Sequence, residues 1–240
     1  MNPTDRDTIL LGFKNWFKDS LVESHKRNTE KLSDITKFNI NPFLLHYLAN
    51  YLEGNSLPQS LAKVLVYPRV LGTSITTSFG TLMQTFITSV LNAYGSTTSG
   101  IDIEFIDAID GRRKYCQLKS GPNALNRDDV STVTQHFTSI RNLARRNNQT
   151  DLRVSDTVFC LIYGEPDEKN SFIRELEVHF PVYIGKEFWH RFTGDEGFYF
   201  RLIESVAEVA TEFNMKDVVD SVITQLSESV EARFSDLYGR

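Results

Sequence analysis

Cysteine is scarce in this sequence. Cys116 and Cys160 are the only two, too few for the disulfide framework of a small secreted domain. Each lies in an apolar stretch that reads as a strand, which predicts two buried free thiols in a reducing cytosol. No group of Cys and His residues has zinc-ligand spacing, so no structural zinc is expected. No run of about 18 apolar residues occurs, and without one no membrane-spanning helix is expected. The opening segment Met1-Asn2-Pro3-Thr4-Asp5-Arg6-Asp7 is polar and mixed in charge, unlike a secretory signal. Internal repeats and long linkers are missing too, which favours one domain.

What is present points to a packed, charged protein. An apolar fraction of 40% with 12% aromatic residues supports a sizeable core and argues against disorder. The net charge of −5 is unevenly placed. Residues 112–153 hold nine Lys/Arg against three acids, whereas residues 154–240 hold eight basic and 17 acidic residues. Such an asymmetry can set a basic groove on an acidic body, compatible with a nucleic-acid partner and equally with a solvated surface.

The first half reads as helices. Thr4-x-x-Asp7 has the form of a capping box, and Ile9, Leu10, Phe13, Trp16, Phe17 and Leu21 follow at helical spacing. Asn41-Pro42 opens a second helix with Asn41 as cap. Leu57-Pro58 opens a third, which Tyr67-Pro68-Arg69 should break. A longer helix is predicted over 74–93, then a Gly/Ser/Thr loop over 95–100.

The period then changes. Ile101-Asp102-Ile103-Glu104-Phe105 alternates apolar and charged residues, Asp110-Gly111 signals a two-residue hairpin turn, and Lys114 to Leu118 returns as a second strand. Asp128 or Asp129 is the candidate cap of a helix striped by Val130, Val133, Phe137, Ile140 and Leu143. Strands are predicted over 157–163 and 178–184, the latter at a sheet edge because it contains Pro181. A short helix from Lys186 and amphipathic helices at about 197–213 and 216–237 close the chain. The expected fold class is α/β, a mixed central sheet flanked by helices with helical N- and C-terminal segments. Its parts are 1–94 (helical), 95–190 (α/β core) and 191–240 (helices) of a single domain, 1–240.

With Asp110-Gly111 as the two turn residues, Ile109 faces Arg112, Asp102 faces Lys119, and Glu104 faces Gln117. Strand side chains alternate in direction, so Asp102, Glu104, Gln117 and Lys119 share one face. Ile101, Ile103, Phe105, Cys116 and Leu118 share the other. Two acids, an amide and an ammonium on one patch suit phosphodiester hydrolysis with Mg²⁺, an ion that takes a few protein oxygens. Lys119 would orient the attacking water and offset charge on the transition state. His136, His179 and His190 have no partner at ligand spacing and read as surface or core residues. Arg112, Arg113 and Lys114 read as solvated residues of the hairpin tip.

Gly100-Ile101-Asp102 followed by Cys116-Gln117-Leu118-Lys119-Ser120-Gly121 resembles the core motif of PD-(D/E)xK nucleases. Further stretches are similar to type II restriction endonucleases of the subgroup that cuts GG-N-CC-centred palindromes. They are Ile40-Asn41-Pro42-Phe43, Pro68-Arg69-Val70-Leu71-Gly72, Leu118-Lys119-Ser120-Gly121-Pro122-Asn123 and Gly185-Lys186-Glu187-Phe188-Trp189. The resemblance implies a restriction-endonuclease-like fold, Mg²⁺ dependence, and a homodimer cutting double-stranded DNA. It also implies a cytoplasmic setting and a DNA methyltransferase in the same system. Asp102, the Gln117 carbonyl and the Leu118 backbone carbonyl would be the metal ligands, and Lys119 the motif lysine. Gln117 departs from the usual Glu or Asp and brings no charge, which Glu104 is expected to supply. Gln84 lies where related nucleases place a further active-site Glu or Gln. Ser120, Asn123, Asn126 and Arg127 could bond phosphate or base edges, although a turn and an N-cap explain Asn123 and Asn126 equally well. The alternatives are another nuclease of this core, Mrr-like or of the repair type, or a decayed module that only binds DNA.

Overall fold

The computed structural model describes residues 2–91, 94–148 and 151–233. In chain order the helices are α1 (Pro3–Trp16), α2 (Glu23–Glu30), α3 (Pro42–Glu53), α4 (Pro58–Pro68) and α5 (Ile75–Val90), followed by strands β1 (Ile103–Ile106) and β2 (Arg113–Lys119). Then come α6 (Arg127–Arg146), β3 (Thr157–Leu161), α7 (Ser171–Glu177), β4 (Val182–Ile184), α8 (Lys186–Thr193), α9 (Phe198–Glu212) and α10 (Lys216–Ala232). The chain divides into two compact units, one of Met1–Trp16 and Leu82–Glu208, the other of Phe17–Thr81 and Val209–Arg240.

The first unit carries the sheet, in the order β1-β2-β3-β4. β1 and β2 are antiparallel, while β2–β3 and β3–β4 are parallel. This is the mixed α/β sheet that the alternating and continuous apolar runs predict. β3 is buried at every position, as its unbroken apolar run requires. Helices α6 and α7 cover one face through Val133, Phe137, Ile140, Ile173 and Leu176, packed with Phe159, Leu161, Val182 and Ile184. Beneath the other face lies an aromatic cluster in which Phe105 meets Phe188 and Phe192, and Trp189 meets Phe86 and Phe198. The Trp189 indole donates to the Ile162 carbonyl at 2.9 Å, tying α8 to the end of β3. Cys116 and Cys160 are free and buried; burial and the neighbouring Cys160 push the Cys116 thiol well up.

In the second unit α10 packs on α4. Val222, Ile223, Leu226 and Val230 join Leu45, Ala49, Leu61 and Val66 in one core. The apolar stripe of the C-terminal helix is thus used within its own unit.

Four local expectations change. Asn2, not Thr4, caps α1: its Oδ1 accepts from the Asp5 amide at 2.8 Å, and Pro3 takes the first helical position, where a missing N–H is harmless. Pro68 closes α4 without breaking the run, because Arg69–Ser74 form a wide π-helical turn that re-pairs the backbone and leads into α5. Asn126, not Asp128 or Asp129, caps α6, in a reciprocal box with Asp129 at 3.0 Å each way. Residues 178–180, expected as strand, turn after helix α7, which Asn170 caps. That leaves a shorter edge strand, with Pro181 just before it. Asn41 with Pro42 starts α3 as the sequence predicts, its Oδ1 accepting from Phe43 and Leu44. Asn92, Ala93 and residues 234–237 of the predicted helices lie outside the described residues. Among the described residues no helix is long and apolar enough to cross a membrane.

Candidate active site

The β1–β2 register corrects the hairpin geometry. Ile103 pairs with Cys116, Glu104 with Tyr115, and Ile106 with Arg113. The turn is longer than two residues. The Asp107 amide donates to the Arg112 carbonyl, the Gly111 amide to the Asp107 carbonyl, and the Asp107 side chain accepts from Ile109. Asp107 thus organises a four-residue loop, and Gly111 closes it at φ +70°. Two extra loop residues slide the pairing by two positions. An even slip keeps every side chain on its expected face but changes who faces whom. The paired register ends at Ile103, leaving Asp102 just before β1, while Glu104 faces Tyr115 and not Gln117. Both Glu104 oxygens are engaged, Oε1 by the Ser96 hydroxyl at 2.7 Å and Oε2 by Arg113 at 3.1 Å.

At the base of the hairpin three elements meet. The Asp102 amide donates to the Cys116 carbonyl at 3.0 Å, just beyond the end of the β1–β2 ladder. Its carboxylate Oδ2 accepts from the Leu118 amide at 2.7 Å. Leu118 therefore turns its backbone polar groups toward Asp102, and in an antiparallel pair the N–H and C=O of one residue point the same way. The Leu118 carbonyl faces the space where β1 has ended. Burial pushes the Asp102 carboxyl above its usual range, against the Leu118 amide and the Lys119 ammonium, which pull it down.

Gln117 and Lys119 lie on the same sheet face, under α6. The Gln117 amide nitrogen meets His136 Nδ1 at 3.2 Å. Its carbonyl oxygen Oε1 is buried and has no partner. Buried polar atoms are rarely left so. Lys119 Nζ lies 3.8 Å from Asp129 Oδ1, a loose pair with the lysine side chain 42% exposed. Gln84 is carried by α5, and its side chain lies outside the described residues.

Asp102, Gln117, Leu118 and Lys119 are thus brought together, and Glu104 is set aside. Sequence reasoning missed the share of α6. Asp129 and His136 stand two turns apart on one face of that helix and reach the two ends of the Gln117–Lys119 pair. Gly100 was the available signal: it has φ +78°, and a Cβ there would lie 2.3 Å from the His136 ring. The motif glycine is the seat of that ring.

Oxygen chemistry fits a divalent cation better than any nitrogen or sulfur set would. Among the described residues no three His, Cys, Asp or Glu cluster into a metal site. Asp102, the orphaned Gln117 oxygen and the Leu118 carbonyl are the oxygens here that could hold one, a hard and sparse set of the kind Mg²⁺ takes.

The remaining predicted contacts follow β2. Ser120 is half-buried and its carbonyl accepts from the Tyr163 amide. Asn123 and Arg127 are exposed, while the exposed Asn126 spends its side chain on capping α6. At the hairpin tip Arg113 is exposed as expected, whereas Arg112 and Lys114 are not solvated. Lys114 is fully buried, bonded to Asp110 at 2.6 Å and to the Ser155 carbonyl at 3.0 Å, and Arg112 grips Asp156.

The family model of the type II restriction endonuclease EcoO109I matches residues 13–214, a span that contains the whole sheet and the hairpin base. No curated relative matches the chain. On a match of that extent, the chain belongs to the type II restriction endonuclease EcoO109I family.

Proposed function

We propose that this site-specific endodeoxyribonuclease hydrolyses both strands of a short palindrome with Mg²⁺, using Asp102, Gln117, Leu118 and Lys119. The observation that carries the reading is the buried, unpartnered Gln117 Oε1, one residue from the Leu118 amide that donates to the Asp102 carboxylate. When bound, a divalent cation acts as a Lewis acid on the scissile phosphate. Asp102, the Gln117 carbonyl and the Leu118 carbonyl would hold it. The Lys119 ammonium, only loosely held by Asp129, orients the attacking water and offsets the charge gathering on phosphorus. The water oxygen bonds to phosphorus and gives up a proton to solvent, the bond to the leaving oxygen breaks, and solvent returns a proton to that oxygen. Glu104, committed to Ser96 and Arg113, steadies the loop before β1 and does not ligate.

Half-buried Ser120 and exposed Asn123 and Arg127, which follow β2 to the start of α6, suit phosphate and base contacts. A GG-N-CC-type palindrome calls for a two-fold protein. The occupant proposed for the exposed apolar face of α3 (Phe43, Leu44, Tyr47, Leu48, Tyr51, Leu52) is a second copy. The α10 stripe cannot serve, being buried in its own unit. The setting is the cytoplasm, with a methyltransferase protecting the same sites.

Purified protein with phage DNA and Mg²⁺ should give discrete bands. A smear would favour a nonspecific nuclease, and intact DNA with a Mg²⁺-independent gel shift a binding module. Sedimentation should show a dimer that Tyr51→Lys with Leu48→Lys dissociates.

A further inference from the structure

We infer that His136 is a positioning residue that lets an amide serve where nucleases of this kind carry a carboxylate. The inference rests on the metal reading above and deepens it. A carboxylate at position 117 could turn either oxygen to a cation. An amide has one oxygen, and its other branch is a donor that must be satisfied when buried.

His136 meets that need. The amide nitrogen of Gln117 contacts Nδ1 at 3.2 Å. An amide nitrogen only donates, so Nδ1 is the acceptor and the ring proton sits on Nε2. With Nε2 of Gln117 so held, planarity fixes Oε1 on the opposite branch, where it is buried without a partner. Removing the acceptor would leave a choice of two poor arrangements. Either Oε1 stays on the cation side and the NH₂ group is buried unpaired, or the amide turns over and presents its donor where the oxygen had been, excluding the cation. An unpaired buried donor costs roughly 1–3 kcal/mol.

The ring itself is fixed from behind. Gly100 holds φ +78°, and any Cβ at that position would overlap the ring at 2.3 Å. The residue two before Asp102 therefore seats the group that orients Gln117. One short constellation, Gly100–His136–Gln117, links the start of β1 to β2 through α6.

The test is Mn²⁺ binding to the DNA-free protein, by calorimetry or by the electron spin resonance of the free ion. Asn supplies an Oδ1 at the same number of bonds from the backbone as His Nδ1, whereas Phe and Leu supply no acceptor. His136→Phe, or His136→Leu should the first not fold, is expected to weaken Mn²⁺ binding about tenfold. His136→Asn should stay within about threefold of the parent. Unchanged binding in the acceptor-less variant would overturn the inference, as would an equal loss in His136→Asn, which would make the ring matter and not its acceptor. Asp102→Ala separates the two levels. If binding depends on Asp102 but not on His136, only this inference falls. If the parent binds no Mn²⁺, or binds it undiminished in Asp102→Ala, the metal reading falls and takes this inference with it.

Discussion

The two ends of the β1–β2 hairpin are built from the same residue types and put them to opposite uses. At the tip, Lys114 is buried against Asp110 and Asp156, Arg112 holds Asp156, and Arg191 holds the buried Asp107 at 3.0 Å. At the base, Asp102 keeps one oxygen for a backbone amide, Gln117 leaves its oxygen unpaired, and Lys119 stands off from Asp129. The acids record the difference. Burial pushes Asp110 and Asp156 upward, but their hydrogen bonds and cationic neighbours outweigh it and hold both below the usual range. Burial prevails at Asp102 and holds it above. Charges with all their partners make structure, and charges short of partners wait for a ligand.

The largest expected effect breaks the base alone. Asp102→Asn or Lys119→Ala should lower the cleavage rate by roughly 10³-fold or more, read as band formation on cognate DNA, with the melting temperature of neither falling by more than a few degrees. A variant retaining near-parental cutting would remove that residue from the site. Next in size is the tip. Lys114→Ala leaves Asp156 and Asp110 without their buried cation, which should cost about 3–5 kcal/mol in urea unfolding. Its rate per folded molecule, measured well below the melting point, should stay within a few-fold of the parent. A stable Lys114→Ala protein, or a folded but inactive one, would erase the contrast between the two ends.

Much of this was legible in the sequence, and its failures are local. The alternation Ile101–Phe105 and the run 157–161 expose the strands, because burial on one or both sheet faces leaves a period that can be read directly. The shared face of Glu104, Gln117 and Lys119 survived a wrong register because the slip was even. The register failed at Asp107. Nothing in Asp110-Gly111 says that an aspartate three residues earlier will fold its side chain onto Ile109 and lengthen the loop. The expected pairing of Glu104 with Gln117 failed for that reason alone. Lys114 was read as solvated because its partner Asp156 is 42 positions away, beyond any periodic signal. His136 was passed over for the same cause: its partners, Gly100 and Gln117, arrive only when α6 is laid on the sheet.

The smallest effect is also the sharpest measure of the comparison, because its sign differs between the two ends. Asp156 has a depressed folded-state pKa, so its contribution to stability is present above the unfolded value of about 3.9 and lost as pH falls through the folded one. Asp102 has a raised folded-state pKa. Its contribution is full below the unfolded value and is lost as pH climbs through the folded one. Urea melts of metal-free protein between about pH 3 and pH 7 should then separate two substitutions that each remove one carboxylate charge. Relative to the parent, Asp156→Asn should become progressively less stable as pH rises, and Asp102→Asn progressively more stable. Two difference curves of the same sign would mean that Asp102 is as well paired as Asp156, and the base of the hairpin would then hold no charge in reserve for a cation.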